Sequence, residues 1–166
     1  MYIRGSTPRR KVKMQFLTGM YDGKIDDKGR LSLPARLRTA LASESVVILP
    51  GLDENHLMLM TPDYFENQFC KQILSTPLAL MDREKRQLVR KLISPAQYVE
   101  IDSAGRVSIP QRSRTLASLP AKSSALLVGT GYAVEIWNPE KFEQQEEGDD
   151  VSISDLAQKI YDGERN

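Results

Sequence analysis

The chain of 166 residues is 40% hydrophobic and 27% charged, ordinary proportions for a soluble globular protein of one domain or two small ones. No apolar run approaches the roughly 18 residues of a membrane span. A single cysteine, Cys70, excludes an intrachain disulfide and fits a reducing, cytoplasmic setting. The net charge of +1 says nothing by itself about nucleic acid, so the distribution of charge matters more.

Residues 1–13 (MYIRGSTPRRKVK) hold five Lys or Arg and no acid, and they lack periodicity. They read as a disordered basic tail: either a DNA-tethering arm or a leader upstream of a start at Met14. They also lack the apolar core of a signal peptide, so secretion is not expected. From Gly23 to Leu33 the pattern alternates. Ile25, Leu31 and Leu33 take one parity, while Lys24, Asp26, Lys28, Arg30 and Ser32 take the other. This is the signature of half-buried strands, joined at Asp-x-x-Gly by a tight hairpin in which Gly29 supplies positive φ. Pro34 fits a first helical position, and Leu37 and Leu41 mark a short amphipathic helix. Strands are expected near 46–50 and 57–61, then a helix opened by Pro62 and a second helical segment over 81–93. In that segment Met81, Leu88 and Leu92 lie near one stripe, and Arg83, Lys85, Arg86, Arg90 and Lys91 form a solvated face.

The whole pattern then repeats. IDDKGRLSLPARLRT at 25–39 matches IDSAGRVSIPQRSRT at 101–115, with nine of fifteen positions identical and Gly105 in place of Gly29. Further on, 57–65 matches 134–142, giving expected strands near 124–129 and 133–137 and a helix opened by Pro139. That last helix is expected to dissolve at 146–150 and to resume near 154–161. The result is a β-α-β-β-α unit, twice, each copy too small to be stable alone. The acidic end, 139–166, carries nine acids and three bases.

The repeated motifs, Asp26-Asp27-Lys28-Gly29-Arg30 and Asp102-Ser103-Ala104-Gly105-Arg106, each followed by Ser-x-Pro-x-Arg, resemble the MraZ family over roughly residues 14–145. The resemblance implies an α+β fold of tandem swapped-hairpin, AbrB-like β-barrel modules with flanking helices, assembled as an oligomeric ring. It divides the chain into a basic tail (1–13), a first module (14–68), a helical connection (69–96), a second module (97–145) and an acidic segment (146–166). It also implies a nucleoid-associated transcriptional regulator that binds direct repeats in double-stranded promoter DNA, upstream of the division and cell-wall gene cluster that includes its own gene. No cofactor, metal or membrane partner is implied.

The candidate DNA-binding residues are Arg30, Lys28, Arg106, Arg36 and Arg112, with Asp26, Gly29, Asp102 and Gly105 shaping the turns. Two readings stand for Arg30 and Arg106: a bidentate contact to DNA, or a salt bridge to the motif aspartate that fixes the hairpin. One side chain can do both if the aspartate orients the fork. The second copy lacks the neighbouring lysine, so a smaller contribution is expected from Arg106. Arg36 and Arg38 point to nearly opposite sides of one helix, as do Arg112 and Arg114, so one of each pair is expected to be structural, bound to a carboxylate of a swapped partner. His56 and Cys70 have no repeat counterpart and no metal-ligand spacing, and read as loop and core residues. The shared motif contains no His, Cys or Glu, so no enzyme is expected. A scaffold that uses the same hairpins only for assembly is the rival reading.

Overall fold

The computed structural model describes residues 13–165, so the basic tail lies, but for Lys13, outside the described residues. The first repeat runs β1 (Met20–Lys24), β2 (Arg30–Ser32), α1 (Ala35–Leu41), β3 (Ser45–Pro50) and β4 (His56–Met60). Helix α2 (Pro62–Tyr64) continues through a π-turn at Phe65–Phe69 into α3 (Cys70–Ile73). A 3-10 turn (Pro77–Met81), α4 (Arg83–Leu88) and a second π-turn (Val89–Ile93) lead to the second repeat. That repeat comprises β5 (Gln97–Glu100), β6 (Arg106–Ser108), α5 (Gln111–Leu116), β7 (Ser124–Gly129), β8 (Val134–Trp137), α6 (Pro139–Gly148) and α7 (Ile153–Glu164). Each unit is thus ββαββα, one strand more than the sequence pattern predicts, because the hairpin arms count separately.

Those arms barely pair with each other. Within the first repeat the contact between them is a bridge from Ile25 to Leu31. The long ladders run between repeats instead: β1 pairs with β7 and β5 pairs with β3, in the antiparallel sheet β1-β7-β8-β4-β3-β5. β2 and β6 form a separate two-stranded ribbon with Arg30 opposite Ser108, Leu31 opposite Val107 and Ser32 opposite Arg106. Two further bonds extend it, Leu33 N to Gly105 O (2.9 Å) and Ile109 N to Gly29 O (3.0 Å). The sheet does not close into the expected barrel; β1 and β5 are its edges, and their charged and polar outer residues suit an edge.

The core follows from this exchange. Leu31, Leu33, Val107 and Ile109 of the ribbon are buried against Val46, Ile48, Leu57 and Leu59 on one sheet face, with Ala125, Leu127, Val134 and Ile136 from the second repeat. Val47, Leu49, Met58 and Met60 point to the other face, where Phe65 and Leu92 cover them. β3 and β4 are therefore buried on both sides, which explains their unbroken apolar runs. Trp137 is buried too, and Leu37 and Leu41 are buried beneath α1, as their spacing predicts.

Several local expectations change. Pro34 and Pro110 sit one residue before α1 and α5, at the N-cap, while Pro62 and Pro139 occupy the first turn of their helices. The expected helical segment 81–93 is helical from Arg83 to Ile93, α and then π, with Met81 left in the preceding 3-10 turn; Met81 and Leu88 are exposed while Leu92 is buried. Asp82 starts α4 by accepting from the amides of Glu84 (2.8 Å) and Lys85 (3.3 Å). Helix α6, started by the Asn138 cap and Pro139 in its first turn, runs to Gly148, two to three residues further than expected, and the chain turns helical again over α7 as expected. No described helix is long and apolar enough to cross a membrane.

Since the repeats share one core, Leu31→Ala is expected to cost about 2–5 kcal/mol and to lower a single unfolding transition of the whole chain. Urea denaturation followed by circular dichroism checks this; two separate transitions would show that the repeats are independent after all.

Candidate nucleic-acid interface

Each motif aspartate organises its turn. Asp26 Oδ1 accepts from the amides of Lys28 (2.9 Å) and Arg30 (2.8 Å), and the Asp26 amide donates to the Arg30 carbonyl (2.9 Å). Asp102 Oδ1 accepts in the same way from Ala104 and Arg106, both at 2.9 Å. Three residues must then turn the chain, and the last must be left-handed: Gly29 and Gly105 both have φ of 78°. The other carboxylate oxygen holds the arginine. Arg30 Nε donates to Asp26 Oδ2 at 2.7 Å, and Arg106 Nε donates to Asp102 Oδ2 at 2.9 Å.

The salt bridge of the structural reading is therefore present in both copies. It engages Nε and leaves the paired Nη groups without a hydrogen-bond partner among the described residues. The arginine side chains are 26% and 33% exposed, enough to be reached from solvent while being held in place. The ribbon pairing brings both into one surface. Its inner side is Leu31, Leu33, Val107 and Ile109; its outer side is Arg30, Ser32, Arg106 and Ser108, with each arginine opposite the other repeat's serine. Ser32 and Ser108 were not singled out from sequence, although they share the arginine parity.

Arg38 and Arg114 are each held by backbone within the chain. Arg38 Nε donates to the Leu33 carbonyl (3.1 Å), and Arg114 Nε to the Ile109 carbonyl (3.2 Å). Each guanidinium then lies over the turn glycine of the opposite repeat. A Cβ on Gly29 would stand 2.7 Å from Arg114 Nε, and one on Gly105 would stand 2.6 Å from Arg38 Nη1. Within the chain, the partner of each Nε is thus a backbone carbonyl. Arg36 and Arg112 are exposed near the starts of α1 and α5, Lys28 is exposed on the first turn, and none of the three forms an ion pair among the described residues. Tyr98 of β5 packs edge-on to Phe65 and donates to Glu66 (3.0 Å).

These contacts fix the protonation of the turns. The Arg30 amide, then the Arg30 guanidinium and the Lys28 amide, hold Asp26 down at about 2 against a smaller opposing loss of hydration. The Arg106 amide leads the same downward shift at Asp102.

Comparison with known proteins gives the same reading of the repeats. A family described as "MraZ protein, putative antitoxin-like" matches residues 16–90 and again 92–162. A protein of Roseiflexus castenholzii named transcriptional regulator MraZ is 38% identical, over 86% of this chain and 94% of its own length. One of the same name from Mesoplasma florum is 32% identical over 87% and 95%. Another from Treponema pallidum is 36% identical over 75% and 80%.

Because the Asp26 carboxyl ionises more readily when folded, it stabilises the fold above the ordinary carboxylate range, and that contribution fades as pH falls from about 4 towards 2. The gap in stability between the natural chain and Asp26→Asn is expected to narrow over that window. Carboxyl NMR titration with parallel denaturation at each pH measures both. An Asp26 that titrates near 4 would contradict the turn geometry.

Proposed function

The chain belongs to the MraZ family, and on that premise we propose that it is a sequence-specific DNA-binding transcriptional regulator whose reading element is the β2–β6 ribbon. The observation that carries this is the outer face Arg30, Ser32, Arg106 and Ser108 on a two-stranded ribbon with a fully apolar back. A ribbon of this kind fits the major groove, and arginine pairs bidentately with guanine. Asp26 and Asp102 occupy only Nε, so both Nη groups of each arginine remain to bind base or phosphate. Lys28, Arg36 and Arg112 supply phosphate contacts that position the ribbon.

Oligomeric binding to direct repeats is part of the proposal. One ribbon offers few contacts, and an array engaging repeats in phase gains avidity without new chemistry. Self-association is supported by apolar side chains left open on two helical stretches of opposite charge. Leu78, Met81 and Leu88 are exposed in the connection that carries Arg83, Lys85, Arg86, Arg90 and Lys91. Ile153, Leu156, Ile160 and Tyr161 are exposed on acidic α7. Head-to-tail docking of one stretch on the other closes a ring when the rotation permits. In that assembly the exchanged strands of each chain correspond to the swapped hairpins of the AbrB-like class. The natural site is then a set of direct repeats ahead of the division and cell-wall genes and the protein's own gene.

Arg30→Ala and Arg106→Ala are each expected to lose about 1–3 kcal/mol of affinity for the gene's own upstream DNA while oligomer mass is unchanged. For the natural protein, log affinity should fall with log salt by ~0.9 per phosphate contacted. Fluorescence anisotropy at graded salt measures both, with light scattering as the control. Unchanged affinity in both variants, or a flat salt response, would move the reading to a scaffold without DNA readout.

A further inference from the structure

The repeats also differ between their third and fourth strands. The first has residues 51–56 between Pro50 and Leu57, while the second has only 130–133 between Gly129 and Val134. The longer loop carries Asp53 and ends at His56, whose counterpart in the second repeat is Ala133. The pairing of β4 with β8 sets His56 opposite Trp137 and Met58 opposite Glu135. His56, Trp137 and Glu135 therefore meet on one side of the sheet, drawn from both repeats.

His56 is fully buried, yet neither ring nitrogen has a hydrogen-bond partner among the described residues. Such a group is costly when its only polar neighbour is as distant as Glu135 Oε2, 3.4 Å from Nε2. Its ring is stacked on Trp137, with centroids 4.2 Å apart and planes within 4°. Gly51 packs directly against the same ring; a Cβ there would strike Nε2. Nε2 points to Glu135 Oε2 at 3.4 Å, and the Trp137 indole donates to Glu135 Oε1 at 3.1 Å, fixing that carboxylate. Asp53 completes the group, and ligand atoms of all three residues lie within 4.8 Å of one another. Two carboxylates beside one unsatisfied imidazole repel each other unless positive charge lies between them. The spacing suits an ion: ligands bound tetrahedrally at about 2.1 Å stand about 3.4 Å apart.

We propose that Asp53, His56 and Glu135 form a divalent-cation site that ties the β3–β4 loop of the first repeat to β8 of the second. One imidazole with two carboxylates favours a first-row transition ion such as zinc over magnesium, with water filling the remaining position. Exposed Asp53 closes the site last, over the two ligands held by the sheet. The site is separate from the ribbon, so it stands or falls independently of DNA binding.

Trp137 is the only tryptophan, and it touches two of the three ligands, so its fluorescence reports occupancy directly. The test is to strip the full chain with a chelator and titrate it with zinc, following tryptophan emission and calorimetric heat, with magnesium as comparison. One zinc per chain is expected, with a saturating change in emission and a rise in Tm. Asp53→Asn should weaken binding about tenfold or more, and Glu135→Gln and His56→Gln should abolish it. His56 is buried and its variant can fail to fold; Asp53 and Glu135 reach the surface, and their variants decide the matter. No saturable signal at roughly millimolar zinc, or equal binding by the Asp53→Asn and Glu135→Gln chains, would overturn the site. The second result would assign the zinc to the acidic C-terminal surface.

Discussion

Leu31 and Val107 face each other across the β2–β6 ribbon, at the centre of a near two-fold relation between the repeats. Both are fully buried, and neither has another place to go. Once these two side chains are driven together, the backbone ladder around them is fixed, and Gly105 and Gly29 become acceptors for Leu33 and Ile109. The first strand of each repeat is then carried to the third strand of the other. Hydrophobic burial sets the contact, and hydrogen bonding makes its register unique.

The outer chemistry follows from that inner constraint. With alternate residues committed to the core, the intervening positions must face outward, and these are two arginines and two serines. A free arginine side chain would lose considerable rotamer entropy on gripping DNA. Here a carboxylate already restrains it through Nε while leaving the fork open. Arg38 and Arg114 then close over the opposite turns. Each turn is consequently shaped from inside by its own aspartate and from outside by the other repeat.

Much of this was legible in the sequence. Alternation and the Asp-x-x-Gly spacing gave the turns, the positive φ of Gly29 and Gly105, and the buried Leu37 and Leu41, because those are local properties of the backbone. Pairing partners were not legible. A strand that reads Ile25-x-x-x-x-x-Leu31 looks the same whether it pairs with its neighbour or with β7. The destination of Arg38 and Arg114 was hidden for the same reason, since the glycine each covers lies more than sixty residues away in sequence. The Asp53, His56 and Glu135 cluster was invisible as ligand spacing, because Glu135 arrives only through the β4–β8 register. Met81 and Leu88 share a stripe with Leu92 in the sequence but stay exposed, since periodicity reports that a face is apolar but not what covers it.

The exchange of strands also constrains how the chain can be made. Met20 pairs with Val128, more than a hundred residues later, so the first repeat leaves the ribosome with β1 lacking its ladder partner. Loop-closure entropy must be spent before that contact gives any return, which makes the fold one of high contact order and slow acquisition. Until β7 is synthesised, β1 and the apolar side of β2 remain uncovered and open to pairing with another nascent chain. On one messenger read by several ribosomes, the nearest available β7 belongs to a neighbouring copy. Synthesis rate and translational spacing therefore bear on whether each chain closes on itself or entangles with the next.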